Sequence, residues 1–383
     1  MAGPLAGIKV LDVGAFGVGP AACSMLALMG AEAIRIEPPN LDGLIFVGTP
    51  IGGYGSTYIG SHFNKKSIIL DLRDARGKEL GEKLIKWADI VINNRRLGAL
   101  ERIGFGYDTM SRINPRVIYI ESTSYGNKGP WSKYAAGDHF VQAASGFASV
   151  NGKEGGEPEI FRNAAHADVN ASSTIAMGAL IGLLAREITG KGQKIETSHL
   201  QATMSMQITR ISEFFATGKN PQRLGSASAH IVPSQSFKTW DNKYINISVP
   251  KERYWPKLCA ALELQNIQND PKFKTNTLRV KNRSELIPII QEKIADKPAC
   301  WWALHLRRCD VPCGFNYDYE ALVSDPHVQA NDWLFDMDSM FGVLKGYVAP
   351  WEFSKAPAEK MTPTVKPDRN RDEILKMLNP QGK

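Results

Sequence analysis

Residues 4–39 read PLAGIKVLDVGAFGVGPAACSMLALMGAEAIRIEPP, and this stretch decides the fold. An apolar, β-branched run over residues 8–13 is typical of a buried strand, and residues 14–19 form a glycine-spaced turn. Residues 21–29 favour a helix, after which a second strand begins over residues 33–36. The stretch therefore predicts a strand–helix–strand unit, which implies a parallel sheet with helices on its faces.

The turn of this unit indicates a ligand-binding loop. Its glycines, Gly14, Gly17 and Gly19, follow the order GxxGxG, which differs from the GxGxxG fingerprint of a dinucleotide site. Pro20 suits the first turn of a helix, and bare glycine backbone lets a ligand approach the positive end of that helix. We therefore expect a ligand at this loop that is not a dinucleotide.

The rest of the chain predicts two domains of an α/β protein. Further strands alternate with helices, as expected for a Rossmann-like parallel sheet; they are predicted over residues 68–72, 89–92, 117–121 and 193–197. From residue 222 the pattern changes to a hairpin over residues 237–249 followed by helices. We expect residues 1–221 and 326–383 to form a large domain and residues 222–325 a smaller α+β domain.

Composition excludes several functional classes. The chain has 383 residues, 43% of them hydrophobic, and a net charge of +7 without the basic, aromatic-laced block typical of nucleic-acid binding. Its five cysteines form no CxxC pair, so neither a disulfide framework nor a metal site is expected. The N-terminus lacks a signal-peptide pattern, and the apolar run 171–185 is too short to span a membrane. These features favour a cytoplasmic protein without metal, membrane or nucleic acid.

A set of cations follows or flanks the predicted strands: Lys65, Lys66, Arg95, Arg96 and Arg102. Ligands of open α/β sheets bind at the carboxyl ends of the strands, so these side chains are candidates for binding a polyphosphate. The alternative from the residues alone is a basic, solvated sheet edge.

Several ordered segments resemble the class III CoA-transferase family, which includes formyl-CoA transferase and carnitine CoA-transferase. They include PLAGIKVLDVGAFGVGP, FNKKSIILDL, ADIVINNRRLGALERIGFGYD, AAGDHFVQAASG and GALIGLLAREITGKGQKIE. The resemblance covers nearly the whole chain. It implies coenzyme A and its acyl esters as substrates, a carboxylic acid as acceptor, no metal, and a homodimer of interlocked subunits.

The resemblance also implies positions for binding and catalysis. Carried over by position, the CoA-binding residues are Val18, Lys65, Asn94, Arg95 and Arg102. Family members use a carboxylate, usually Asp, that attacks the thioester to form an anhydride and then an enzyme-bound thioester. Such chemistry also needs N–H donors for the oxyanion and exclusion of water.

Glu154 is the predicted nucleophile. The resemblance implies a catalytic Asp three residues beyond the Gly of a TG or NG pair, but this count from Asn151-Gly152 reaches Gly155. Glu154 is the nearest carboxylate in a glycine-rich lid. The alternative is that the acidic residues of this lid are solvated and the chemistry is altered or lost. Asp138 matches an acidic position of many relatives and is expected to orient substrate, act as a base, or cap a helix.

Two other functions stay open at this point. Related α-methylacyl-CoA racemases carry Gly-His-Asp where this chain has Gly137-Asp138-His139, and a second Asp at the position of Asp168. The reversed order turns the histidine about a hundred degrees around a helix, which disfavours racemisation. The departure at Gly155 leaves a CoA-binding protein without catalysis as the third hypothesis.

Overall fold

A computed structural model describes residues 3–41 and 43–379. The strands are β1 (Lys9–Asp12), β2 (Glu32–Glu37), β3 (Pro50–Ile51), β4 (Tyr54–Gly55), β5 (Lys66–Ile69), β6 (Ile90–Asn93), β7 (Ile118–Thr123), β8 (Gln193–Ser198), β9 (Ser234–Lys238), β10 (Tyr244–Ser248), β11 (Cys313–Phe315), β12 (Leu334–Ser339) and β13 (Gly342–Tyr347). The α-helices are α1 (Val18–Leu28), α2 (Ser56–Ser61), α3 (Ala75–Trp87), α4 (Tyr107–Ile113), α5 (Asp138–Ala144), α6 (Phe147–Val150), α7 (His166–Thr189), α8 (His199–Met206), α9 (Ile208–Thr217), α10 (Trp255–Ala261), α11 (Gln265–Gln268), α12 (Asn276–Lys281), α13 (Arg283–Ile294), α14 (Ala299–Arg308), α15 (Tyr319–Ser324), α16 (Pro326–Ala330) and α17 (Arg371–Leu378).

The predicted parallel sheet is confirmed. Its order is β5-β2-β1-β6-β7-β8, and every neighbouring pair is parallel. Counted along the chain, these six strands have the order 3-2-1-4-5-6 of a doubly wound sheet. The order reverses between β1 and β6, so the loops after these strands diverge and leave a crevice at their carboxyl ends.

Alternate residues of the central strands face two cores. Val10 of β1 packs in the core that includes α1 and α7, whereas Leu11 packs in the opposite core with α3 and α17. Helix α7 lies close to the sheet, since a Cβ on Gly182 would be 2.7 Å from the Cγ2 of Ile118. The side chains on both faces of the sheet are thus apolar, as expected for parallel strands covered by helices.

Helix α7 is long and apolar enough to cross a membrane by length and composition, and 44% of its most apolar window is buried inside the fold. Its inner face packs in the core through Ala171, Ile175 and Ala179. An apolar stripe remains on the other face, where Met177, Ile181, Leu184 and Ile188 are exposed. The high hydropathy therefore has two sources, a core face and an exposed apolar face.

The chain divides into two units, which we describe separately. The first unit contains the described residues up to 147, residues 160–212, and the described residues from 327 onward. The second unit contains residues 148–159 and 213–326, and the predicted small domain, residues 222–325, lies within it. Residues 1–2, 42 and 380–383 of the predicted large domain lie outside the described residues.

The second unit is built on the predicted hairpin. Strands β9 and β10 pair antiparallel, β11 adds to β10, and helices α10, α13 and α14 contribute buried residues to the core beneath. In the first unit, the C-terminal segment returns to the edge of the parallel sheet. There the Asp368 Oδ1 accepts a hydrogen bond from the backbone N–H of Ile69, and α17 packs over β5.

Candidate active site

Asn94, directly after β6, holds the glycine loop that follows β1. Its Oδ1 accepts a hydrogen bond from the backbone N–H of Ala15 at 2.7 Å, and its Nδ2 donates to the carbonyl of Ala15 at 2.8 Å. A Cβ on Gly14 or Gly19 would lie 2.5 or 2.7 Å from the same Oδ1. These two glycines are therefore required because the amide of Asn94 occupies the space beside them.

The arginines after β6 divide between two roles. Arg95 donates from Nε to the carbonyl of Val13 at 2.7 Å and from a terminal nitrogen to the carbonyl of Gly14 at 3.2 Å, so it also holds the loop. Arg96 and Arg102 are exposed and border the same cavity as Arg95. The sequence-predicted residues Val18, Asn94, Arg95 and Arg102 are thus brought together.

Lys65 lies beneath the loop and does not border the cavity. It is only 6% exposed, and its Nζ donates to Asp12 Oδ2 (3.1 Å) and to the carbonyls of Pro20 (2.8 Å) and Ser61 (3.2 Å). Asp12 is fully buried and requires compensating charge. The prediction from the sequence that Lys65 holds CoA directly therefore disagrees with its position, because its ammonium group is paired with this carboxylate.

Burial and two neighbouring cations shift the pKa of Asp12 in opposite directions. Burial raises the pKa of this carboxyl, but Lys65 and Arg35 outweigh it, so the pKa lies below its usual value. The carboxylate also accepts a hydrogen bond from the backbone N–H of Gly14 at 2.9 Å. Because Lys65 bonds both Asp12 and the first turn of α1, this ion pair fixes the two ends of the glycine loop.

A cavity of about 420 Å³ opens at the carboxyl ends of β1, β6 and β7. It is lined by Ala15, Phe16, Gly17, Val18, Asn94, Arg95, Arg96, Ala99, Arg102, Ser122, Thr123, Ser124, Ala135, Ala136, Gly137, Asp168 and His199. A second cavity of about 350 Å³ shares Arg95 and Ala99 with the first and is bordered by Pro38, Leu70 and Arg73 among others. The two cavities are therefore adjacent along the strand ends.

Asp168 is the carboxylate that lines the first cavity. It lies in the first turn of α7, where the helix dipole favours negative charge. Its Oδ2 faces the glycine loop, since a Cβ on Gly17 would be 3.9 Å from it. From the sequence, Asp168 is expected only as the second base of a racemase. Its neighbours in the cavity come from distant segments, so no local pattern marks it as a nucleophile.

Asp138 caps the helix that carries Asp168. Its Oδ2 accepts hydrogen bonds from the backbone N–H groups of Ala167 (2.9 Å) and Asp168 (3.2 Å), and its Oδ1 accepts one from Gln142. The cap position of its own helix, α5, is Gly137. The capping role expected from the sequence is thus exerted on α7 rather than on α5.

His199 lies beside Asp168 and was not predicted as a site residue. Its Nε2 is 3.1 Å from Asp168 Oδ1, an ion-pair distance, although the two atoms lack the alignment of a good hydrogen bond. The residue is only 6% exposed. His199 directly follows β8, which ends at Ser198, and ligands of parallel sheets bind at the carboxyl ends of the strands. This position was the signal in the sequence that could have identified His199 as a site residue.

Glu154, the nucleophile predicted from the sequence, belongs to the second unit and is exposed. Its loop is held by Arg223, which donates to the carbonyls of Gly156 and Ser149, and by the N–H of Gly225, which donates to Gly152. In residues 3–41 and 43–379, no group of three or more His, Cys, Asp or Glu is arranged to hold a metal ion.

Comparisons with known proteins agree on one family. The sequence model of CoA-transferase family III matches residues 5–373. The human succinyl-CoA:glutarate CoA-transferase is 32% identical over 88% of this chain and 76% of that protein. The acetyl-CoA:oxalate CoA-transferase of Acetobacter aceti is 28% identical over 93% of this chain and 92% of that protein. The crystal structure of a CAIB/BAIF family protein from Brucella suis superimposes with a TM-score of 0.90 and 27% identity, covering 99% of this chain and 100% of the other.

Proposed function

The chain belongs to CoA-transferase family III and moves CoA from an acyl-CoA to a carboxylic acid, and from this premise we propose that the transfer proceeds through Asp168. One observation carries the proposal: Asp168 is the carboxylate that lines the cavity between the glycine loop and the arginines after β6. Asp168 lies in the first turn of α7, and a carboxylate is a competent nucleophile toward a thioester.

The proposed reaction has four steps. Asp168 Oδ2 attacks the thioester carbonyl, the C–S bond breaks, and CoA thiolate leaves an acyl-aspartyl anhydride. The thiolate then attacks the Asp168 carbonyl carbon and releases the donor acid with Oδ2, which gives an aspartyl-CoA thioester. The acceptor carboxylate attacks this thioester and expels the thiolate. Finally the thiolate attacks the acceptor carbonyl, forms the new acyl-CoA and regenerates the Asp168 carboxylate.

Backbone N–H groups of the glycine loop are suited to the oxyanions of these steps. Gly17 and Val18 border the cavity at the beginning of α1, where the first N–H groups of a helix have no intrahelical partner. Donors of this kind are each worth about 10²–10³-fold in rate when they are preorganised. Asn94, Arg95 and the Asp12–Lys65 pair supply the preorganisation, because they hold the loop from three sides.

We place the nucleotide of CoA toward the second cavity and its pantetheine arm in the first. Arg96 and Arg102 are exposed arginines that line the first cavity, and Arg95 borders both cavities. Guanidinium groups bind phosphate with charge-assisted, often bidentate hydrogen bonds. The arrangement supports a pyrophosphate and a 3'-phosphate at this edge of the sheet, and the acyl thioester near Asp168.

Short dicarboxylic acids are the proposed acyl groups. The human relative is a succinyl-CoA:glutarate CoA-transferase, and the Acetobacter aceti relative is an acetyl-CoA:oxalate CoA-transferase. A panel of mono- and dicarboxylic acceptors with succinyl-CoA, followed by mass spectrometry, tests this class; preference for a long monocarboxylic acid contradicts it.

We also propose that two copies of the chain associate through α7. Leu184 is 68% exposed and Ile188 88% exposed on its apolar stripe, and such a stripe on an otherwise packed helix is typical of an interface. Sedimentation of the wild-type chain and of the Ile181→Glu variant tests the proposal. We expect a dimer that the variant weakens, and a monomer at all concentrations contradicts it.

The nucleophile is tested by trapping. Incubation with succinyl-CoA followed by hydroxylamine converts an activated carboxylate into a hydroxamate, which peptide mapping locates. We expect modification of the peptide that contains Asp168, none in Asp168→Asn, and wild-type modification in Glu154→Gln. If the modified peptide instead covers residues 150–160, Glu154 is the nucleophile and the assignment to Asp168 fails.

A further inference from the structure

We propose that His199 is a positioning residue that holds Oδ1 of Asp168 and thereby presents Oδ2 to the thioester; this inference rests on the proposed role of Asp168. The two oxygens of that carboxylate have different surroundings. Oδ1 is 3.1 Å from His199 Nε2, whereas Oδ2 faces the loop at Gly17. The imidazole therefore has access to one oxygen, and the substrate crevice has access to the other.

The backbone of His199 is held firmly. Ser198 caps α8 by accepting a hydrogen bond from the N–H of Gln201 at 3.0 Å, and the N–H of Leu200 donates to the carbonyl of Ser124 at 3.0 Å. The Thr203 hydroxyl donates to the carbonyl of His199 itself at 2.9 Å. These bonds tie the residue to the carboxyl ends of β7 and β8, which are rigid parts of the sheet.

The imidazole ring of His199 is buried, and its Nε2 requires a hydrogen-bond partner. His199 is 6% exposed, and Nε2 has no well-aligned hydrogen bond among the residues that the structure describes. Buried polar atoms in native proteins are nearly always hydrogen-bonded, and catalytic hydrogen bonds often become aligned only when substrate binds. A small rotation of the Asp168 carboxylate would convert the 3.1 Å approach into a hydrogen bond.

The contribution of this contact is orientation, not proton transfer to substrate. The attacking group is already a carboxylate, so the first step requires no base. A carboxylate fixed through one oxygen keeps a lone pair of the other directed at the carbonyl carbon, which reduces the entropic part of the barrier. At metal sites, loss of a residue that orients a metal ligand through a hydrogen bond typically costs about 10–100-fold in activity, and we expect a similar effect for a residue that orients a nucleophile.

The experiment compares His199→Gln with His199→Asn. The Gln amide nitrogen is separated from Cα by as many bonds as His Nε2, so it can donate to Oδ1, whereas the Asn amide is too short. We expect His199→Asn to lower kcat about 10–100-fold with KM for succinyl-CoA nearly unchanged, and His199→Gln to keep most of the activity. His305→Gln, in the second unit, is the matched control.

Three measurements separate the possible outcomes. The rate of hydroxylamine-trapped adduct formation on Asp168 should fall in His199→Asn together with kcat, while the thermal midpoints of the Gln and Asn variants stay alike. Equal kcat in the two variants, or a rise in KM that accounts for the loss, overturns the inference. A full yield of adduct in Asp168→Asn overturns the assignment of the nucleophile instead, whatever the His199 variants do.

Discussion

The Oδ2 atom of Asp138 accepts a hydrogen bond from the backbone N–H of Asp168 at 3.2 Å, across thirty positions of sequence. The same oxygen accepts a bond from Ala167, so one carboxylate satisfies two of the free N–H groups at the beginning of α7. The orientation of the first turn of α7, and with it the side chain of Asp168, therefore depends on Asp138.

The Asp138→Ala variant is expected to lose both stability and activity. Loss of a helix cap costs about 0.5–2 kcal/mol, and displacement of a catalytic group by an ångström costs up to about 10²-fold in rate. Urea unfolding and kcat measure the two effects. Asp74→Ala is the control, because Asp74 caps α3 through the N–H of Gly77 and does not line the cavity. An equal loss of kcat in both variants contradicts a specific role for Asp138.

Lys65→Met is expected to lower the stability of the protein more than it lowers its affinity for CoA. Removing one partner of a buried ion pair costs about 3–5 kcal/mol, because the other charge is left uncompensated. Here Asp12, which is fully buried, loses Lys65 but keeps its ion pair with Arg35 at 3.0 Å, so we expect a loss at or below the lower end of this range. Urea unfolding and calorimetric titration with CoA measure the two effects. A variant of normal stability that no longer binds CoA would mean that the ammonium group contacts CoA directly.

The pH dependence of stability should contain a contribution from Asp12. Its pKa is lower in the folded protein than in the unfolded chain, where it is about 3.9, because Lys65 and Arg35 outweigh the effect of burial. The stabilisation is therefore complete above about pH 4 and is lost as the pH falls toward the folded pKa. We expect the free energy of unfolding to fall less steeply between about pH 5 and pH 2 in Asp12→Asn than in the wild type. Identical slopes contradict this explanation.

A double-mutant cycle tests the packing of Asn94 against the glycine loop. The Gly19→Ala methyl group would lie 2.7 Å from Asn94 Oδ1, so the single variant should be destabilised and bind CoA less tightly. In the Asn94→Ala background this clash is absent, and the same substitution should cost about 0.5–3 kcal/mol less, the usual size of coupling between contacting residues. If the changes in the free energy of unfolding of the two single variants add up to that of the double variant, the two positions do not interact.

Arg102→Ala is expected to weaken CoA binding without changing stability. Hydrogen bonds to charged groups are worth about 1.5–3 kcal/mol, so the Kd for CoA should rise at least about tenfold. The loss should be smaller for 3'-dephospho-CoA if Arg102 contacts the 3'-phosphate. Arg112→Ala is the matched control, since Arg112 is an exposed arginine of α4 that lines neither cavity.

The fold was predictable because its determinants are local. Runs of β-branched residues placed the six parallel strands to within a few residues, and the glycine turn after β1 indicated the ligand-binding edge. The beginning of α3 is also set locally, because Asp74 directly precedes this helix and its Oδ1 accepts a hydrogen bond from the N–H of Gly77.

The functional site was less predictable, because contacts between distant segments of the chain determine the role of each of its residues. Lys65 and Lys66 are adjacent, but one is buried against Asp12 and the other pairs with Glu32 and Glu373 near the surface. The sequence does not show that Asp12 needs a partner, since this depends on how deeply β1 is buried. The same holds for Asp168 and His199, which meet because α7 and α8 begin at the same edge of the sheet.

The pairing of Asn94 with the backbone of Ala15 restricts how this enzyme can be redesigned. Transplanting the segment after the first strand from a relative, in order to change its acyl preference, also requires the matching residue at position 94, since a foreign side chain there would meet Gly14 and Gly19. Libraries that randomise the two segments jointly should yield more active clones than libraries that randomise either one alone.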